Sequence, residues 1–261
     1  MIRKPEIVRL VELGLGLLSI GRTWGTAKVP PPTRENGRLL IHEAYSSGIR
    51  FFDTAPAYGE SEIVFGEAVA EKPDMLADIS IATKMGEDWN PDLGVSWVSH
   101  SRDDLLRSIN RSLDRLSRID VLQLHKANPF NVTSSAVLSA FEHARKLGVK
   151  ITGASVSDME TAALACQSGH YDLLQFPYNA IQPGFVDVFT MLRQKGMKAI
   201  INRPFAMGQL ALQQNRHQSL IDAFSFVLGA DFTGVVLTGT SSTIHLATNM
   251  AAFAEARRQC G

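Results

Sequence analysis

Short apolar runs alternating with helical pattern, about eight times along the chain, constrain this sequence more than any other feature. The runs lie at residues 13–18, 50–53, 79–84, 121–125, 151–155, 173–175, 199–202 and 234–238. They are rich in β-branched, aliphatic or aromatic side chains, the composition of buried strands. Between them, apolar residues recur at helical spacing over 34–47, 61–69, 102–116, 137–147, 161–166, 186–194, 219–228 and 244–257. Over 102–116 the repeat is plain, because Leu105, Ile109, Leu113 and Leu116 fall on one helical face. The stretch 137–147 stops at Gly148, a residue able to take the left-handed conformation that ends a helix. Such alternation predicts parallel strands joined by helices. Eight units in 261 residues predict an α/β fold closed as a (β/α)8 TIM barrel, which uses about 250 residues.

That length leaves little beyond the barrel, so residues 1–261 are expected to form a single domain. An apolar fraction of 45% suffices for its core. Lys+Arg and Asp+Glu both total 26, giving zero formal charge and no basic stripe for nucleic acid or a membrane surface. No segment is long and apolar enough to span a bilayer. Arg3 and Lys4 precede the apolar stretch from Leu13 to Ile20, but no small-residue cleavage pattern follows; a first barrel strand explains it better than a signal peptide. Cys166 and Cys260 lie far apart without metal-ligand spacing. Cys166 is expected to be a core residue and Cys260 an exposed one, in a reducing cytoplasmic setting with no metal site. Two segments depart from the alternation. Val29-Pro30-Pro31-Pro32-Thr33 reads as a rigid linker, and residues 86–101, with Trp89 and Trp97, as a polar loop.

The ends of three consecutive runs carry chemistry. Asp53 ends the second, with Tyr58 just beyond it; Lys84 ends the third and His125 the fourth. In parallel barrels the strand C-termini open onto one face, so an acid, a phenol, an amine and an imidazole are expected to converge there. The motifs Phe52-Asp53-Thr54-Ala55-Pro56-Ala57-Tyr58-Gly59, Ala82-Thr83-Lys84 and Leu122-Gln123-Leu124-His125 resemble, in this order, those of the aldo-keto reductase family. The similarity continues through Gly153-Ala154-Ser155, Gln175-Phe176-Pro177-Tyr178-Asn179, Arg203-Pro204-Phe205-Ala206-Met207-Gly208 and Gly239-Thr240-Ser241-Ser242. It covers nearly the whole chain. The resemblance implies NADPH-dependent reduction of aldehydes or ketones to alcohols on a (β/α)8 barrel, with Asp53, Tyr58, Lys84 and His125 as the catalytic set. It implies a small-molecule carbonyl as partner. A monomer or weak homo-oligomer is expected.

The chemistry fits these residue types. As hydride reaches a carbonyl carbon, charge builds on the oxygen and needs a proton donor and stabilisation. Tyr58 is the candidate acid, and an adjacent Lys84 ammonium favours its phenolate form. Asp53 would keep Lys84 charged and aimed, and His125 would hydrogen-bond the substrate oxygen. On the cofactor side the resemblance places Trp24, Ser155, Gln175, Tyr178, Arg203, Pro204, Phe205, Gly239, Ser241, His245 and Asn249. Ser155 and Gln175 are assigned to the nicotinamide amide, Tyr178 to stacking on its ring, and Arg203 to Phe205 to the pyrophosphate or ribose. Gly239 to Thr243 resembles the adenosine-phosphate loop, with His245 and Asn249 facing the adenine. The sequence departs from the family pattern at Val156, where asparagine is usual, and at Ser241, where many members carry arginine for the 2′-phosphate. The second departure weakens the expected preference for NADPH and admits NADH. The chain is also shorter after Met207 than family members are, which implies weaker retention of cofactor. Gly14, Gly16 and Gly21 have the wrong spacing for a Rossmann fingerprint.

Two alternatives remain at this level. Lys84 could serve a Schiff-base lyase, although a carboxylate partner keeps a lysine protonated. The chain could also be a non-catalytic barrel that binds NADPH.

Overall fold

The computed structural model describes residues 11–23, 25, 28–211 and 215–260. Its strands are β1 (Val11–Gly16), β2 (Phe51–Asp53), β3 (Ser80–Met85), β4 (Glu87–Asn90), β5 (Val95–Val98), β6 (Val121–Leu124), β7 (Ile151–Ser155), β8 (Leu173–Pro177), β9 (Lys198–Asn202) and β10 (Gly234–Gly239). Eight of them close a parallel barrel in the order β1, β2, β3, β6, β7, β8, β9, β10. The seam is made by β1, which pairs Val11 with Gly234 on one side and Gly16 with Asp53 on the other. The expected (β/α)8 architecture is therefore the observed one.

The helices are α1 (Leu18–Gly21), α2 (Arg34–Ser46), α3 (Ser61–Glu71), α4 (Arg102–Leu116), α5 (Ser135–Lys146), α6 (Met159–Ser168), α7 (Val186–Lys195), α8 (Arg216–Leu228) and α9 (Thr243–Cys260). Helix α4 shows why these segments fold as they do. The Ser101 hydroxyl caps it by accepting from the Asp104 amide, and Ser117 ends it in a left-handed conformation. Leu105, Ile109 and Leu116 are buried along one face. Each such side chain contributes roughly 1.5–3 kcal/mol on burial. The proline linker delivers the chain to Thr33, whose hydroxyl accepts from the Asn36 amide and caps α2.

Strand alternation sorts the barrel interior into layers. Phe51, Ala82, Val121, Leu173, Ile200 and Val235 form a buried apolar cluster, distinct from the larger core between strands and helices. Two residues further along the same strands stand Asp53, Lys84, Gln123, Gln175 and, on β9, Asn202. The apolar layer thus forms the floor of a polar layer at the C-terminal mouth.

The structure corrects the expected polar loop at 86–101. Strands β4 and β5 pair antiparallel, Glu87 with Val98 and Asn90 with Val95. Asn90 Oδ1 accepts from the amides of Asp92 and Leu93, and Gly94 takes φ +64°. Asn90-Pro91-Asp92-Leu93-Gly94 is a turn sequence between two short strands, and turn residues of this kind make a hairpin even where the flanking composition is polar. Bounds also move: β8 runs on through Pro177, and Leu18, expected to end the first strand, opens α1. Cys166 is buried and Cys260 exposed, as expected. Among the described residues no helix is long and apolar enough to cross a membrane.

Candidate active site

Asp53, Lys84, Tyr58 and His125 meet at the C-terminal mouth. Lys84 Nζ lies 2.7 Å from Asp53 Oδ2 and donates to the Thr54 carbonyl oxygen at 2.9 Å, with both charged side chains almost wholly buried. Nζ also stands 4.7 Å from the centroid of the Tyr58 ring, over its face. The rings of Tyr58 and His125 meet edge to face, 6.0 Å between centroids. Asp53 Oδ1 accepts from Gln123 Nε2 at 3.0 Å and from Gln175 Nε2 at 3.1 Å. The carboxylate is therefore bound on both oxygens, as a buried charge requires.

Local structure fixes these positions. Tyr58 ends a 3-10 turn, Pro56–Tyr58, that follows β2. Its neighbour Gly59 has φ +63°, and a Cβ there would come within 2.3 Å of the Gly21 carbonyl oxygen. At Gly21 a Cβ would meet the Tyr58 carbonyl oxygen at 1.8 Å. Two backbones thus touch where neither can carry a side chain, and the Glu60 amide donates to the Gly21 carbonyl at 3.2 Å. Behind β3, the buried Glu62 carboxylate accepts from Thr83, Ser112 and Arg115, steadying the strand beside Lys84.

The electrostatics follow from burial and neighbours. Burial lowers the Lys84 ammonium pKa, but Asp53 and Tyr58 outweigh it and hold it above the usual lysine value. Burial pushes the Tyr58 phenol up, and Lys84 pulls it down without cancelling that rise. The lysine acts in the expected direction, yet the net shift of Tyr58 is upward because desolvation is the larger effect. His125 lies well below the usual imidazole value, through burial and then the charges of Lys84, Lys126, Arg22 and His100. At neutral pH the site therefore holds a neutral phenol, an ammonium and a neutral imidazole.

One residue at the site escaped the sequence reading. Glu87, buried on β4, places Oε2 3.0 Å from His125 Nδ1 and Oε1 3.6 Å from Lys126 Nζ, and accepts from the Ser96 hydroxyl at 2.8 Å. A charged residue three positions after Lys84 was its only signal. Gln123 was legible by alternation, lying on the strand face that carries His125.

The residues expected at the cofactor are divided. Ser155 is half-buried at the end of β7, in register with Gln175. Gln175 bonds Asp53 through its amide. Tyr178 directly follows the C-terminal end of β8; its ring stacks on Phe226 and meets the edge of Phe189, and the residue is buried. Alternation along β8 turns Phe176 into the core between strands and helices and Gln175 inward to Asp53. Arg203 is exposed at φ +53°, its carbonyl accepting from Asn179. Pro204 is buried, and Phe205 packs edge-on to Phe224. Gly239 and half-buried Ser241 lie between β10 and α9. His245 and Asn249 part company: His245 is exposed beside Arg216, whereas Asn249 is buried and donates to Thr238 Oγ1 at 2.8 Å. Trp24 lies outside the described residues.

The chain and its closed parallel barrel are matched by known proteins. The model of the Aldo/keto reductase family matches residues 12–223, and the chain belongs to that family. It is similar to L-galactose dehydrogenase of Arabidopsis thaliana, 25% identical over 218 residues, 79% of this chain and 65% of that protein. It is similar to aldo-keto reductase YhdN of Bacillus subtilis, 28% identical over 182 residues, 66% of this chain and 51% of that one. Against 6-dehydroglucose reductase of Novosphingobium aromaticivorans it is 30% identical over 254 residues, covering 87% and 78%. The chain thus spans between half and two-thirds of the first two relatives. Among solved structures, a candidate aldo-keto reductase from Pseudomonas aeruginosa superposes with a TM-score of 0.78 at 26% identity, covering 94% of this chain and 90% of the other.

Proposed function

We propose that this protein reduces the carbonyl of small aldehydes or ketones to alcohols, with NAD(P)H as reductant and Tyr58 as proton donor. The observation that carries this reading is the buried Asp53–Lys84 pair at the Tyr58 ring, with the His125 ring meeting that ring edge to face. A single domain of 261 residues that works as a monomer or weak oligomer is consistent with it.

The residues present fit a nicotinamide dinucleotide. Gln123 Oε1 and Asn202 Oδ1 are buried acceptors without a protein partner among the described residues, as an incoming amide requires. At the other end, the 18-residue helix α9 follows a run of Thr240, Ser241 and Ser242 hydroxyls, suited to a phosphate at its N-terminus. Ser155, Gly239, Ser241 and His245 are the residues we assign to holding it, with Arg203 to Phe205 at the rim. When bound, the cofactor supplies hydride to the carbonyl carbon. The protein does the rest. Tyr58, neutral at pH 7, gives its hydroxyl proton to the carbonyl oxygen. Lys84 stabilises the phenolate left behind, and Asp53, held by Gln123 and Gln175, keeps the ammonium in place. The same ion pair argues against Schiff-base chemistry, which needs a neutral amine.

NADPH is the favoured form, less one-sidedly than with arginine at position 241. Ser241→Arg is expected to raise affinity for NADPH over NADH about tenfold, the scale of a bond to a charged group. No gain in a fluorescence titration with both cofactors would mean that Ser241 does not face the 2′-phosphate. The function itself is tested by a turnover screen of aldehydes, ketones and quinones with NADPH and NADH. Reduction of a carbonyl is expected, and its absence across the panel would overturn the reading.

A further inference from the structure

The face of the barrel opposite the mouth holds a cavity of about 510 Å³, where β7, β8 and β9 begin and α6 and α7 end. That volume lies in the range of small-molecule pockets. Its floor is apolar: Tyr171, Leu173 and Met197 are buried there, and Cys166 forms part of the wall. Burial holds the Cys166 thiol up at about 11 against the pull of Lys195, so this wall is neutral at pH 7. Gly169 and Gly196 end α6 and α7 in left-handed conformations, φ +71° and +66°. Nothing from elsewhere in the fold lies within 4 Å of where a Cβ would stand at either glycine. The cavity is therefore open beside both helix ends.

Lys150, Lys195 and Lys198 line the same cavity, with Asp172 as its single acid. Asp172 Oδ2 is engaged by the amide and the hydroxyl of Thr152, at 2.8 and 3.1 Å. All three lysines are exposed, and among the described residues none makes an ion pair or a side-chain hydrogen bond. Lys195 lies in the last turn of α7, where part of its charge offsets the carbonyl end of the helix. Lys150 precedes β7 and Lys198 opens β9, so they flank the start of β8 and no helix end claims their charge. We propose that this cavity binds a small organic anion with an apolar body, the body lying on Tyr171 and Met197 and the anionic group meeting Lys150 and Lys198. The apolar floor supplies affinity through buried area, and the lysines select the charge. The apolar barrel layer that includes Leu173 and Ile200 stands between this cavity and the polar layer of the mouth, so the two are separate sites. The proposal does not depend on the carbonyl chemistry assigned above.

The test titrates the full chain with anilinonaphthalene sulfonate, an aromatic anion that fluoresces in apolar surroundings, with NADP+ in excess to keep it from the mouth. Phenylnaphthylamine, the same rings without the charge, is titrated in parallel. The anion is expected to bind about tenfold more tightly than its neutral analogue, the scale of two partly exposed ion pairs. The double variant Lys150→Gln, Lys198→Gln is expected to lose that difference while its affinity for the neutral analogue stays unchanged. Both lysines are exposed, so the variant is expected to fold, and its thermal unfolding checks this. Amide NMR of the ¹⁵N-labelled chain gives the place of binding, and the resonances of Gly169, Gly196 and Lys198 are expected to move. Equal affinity for the two probes, or an unchanged affinity for the anion in the double variant, overturns the proposal. Resonances that move only at the mouth, at Ser155 and Gly239, overturn it as well. Displacement of the probe by inorganic sulfate at equal concentration would mean that charge alone is read, and would overturn the role of the apolar floor.

Discussion

Lys84 and Asp53 show why a buried charge pair is poor evidence for stability and good evidence for function. Each ion alone in this setting would be uncompensated, and removing one partner of a buried pair costs about 3–5 kcal/mol. Lys84→Met and Asp53→Leu are each expected to lower stability on that scale in urea unfolding. The double variant is expected to recover much of the loss, because two apolar groups can replace a buried pair at little net cost. Aldehyde turnover is expected to be absent in the Lys84→Met and double variants alike, since no ammonium remains beside Tyr58. A double variant less stable than the sum of the singles would contradict this view of the pair. At this scale the tetrad was legible in the sequence, because each member ends a strand or follows one. Glu87 was not, since nothing in a polar stretch marks which carboxylate folds back onto His125.

At the scale of elements, position depends on close backbone contacts more than on side chains. The Tyr58 turn is packed on α1 through Gly21 and Gly59. Gly21→Ala is expected to push this turn outward. Overpacking of that kind costs about 1–3 kcal/mol, and kcat is expected to fall with it while reduced-cofactor affinity changes little. Thermal unfolding and steady-state kinetics on the one variant check both; wild-type kcat would show that Gly21 does not set the position of Tyr58. The eight strand–helix units were readable because hydrophobic period differs between the two kinds of element. The hairpin β4–β5 was less so, as its strands are four residues each and half polar. Its turn, not its strands, carried the signal.

The whole molecule couples its site to pH through the same buried groups. His125 is depressed in the folded protein, so below its ordinary value of about 6.5 the unfolded chain takes up a proton that the folded chain refuses. Stability is therefore expected to fall as pH drops below about 6.5. Tyr58 and Lys84 are raised, so above about 10 the folded chain keeps protons that the unfolded chain releases, and stability falls again as pH rises. Urea unfolding across this range is expected to give a plateau between these limits. His125→Gln is expected to flatten the acid limb, and an unchanged limb would mean that His125 is not a group that stays neutral. The barrel makes this coupling by construction, since its apolar floor of Phe51, Ala82 and Val121 leaves the layer above it shielded from water on one side.

The most direct measurement of the central claim is aldehyde reduction by wild type and Tyr58→Phe, with NADPH binding followed in parallel. A lost general acid lowers kcat by at least about 10²-fold. The expected result is a fall of that size with cofactor affinity nearly unchanged, because the hydroxyl is removed and the ring over Lys84 stays. Turnover close to wild type in Tyr58→Phe would contradict the claim and remove Tyr58 from the chemistry.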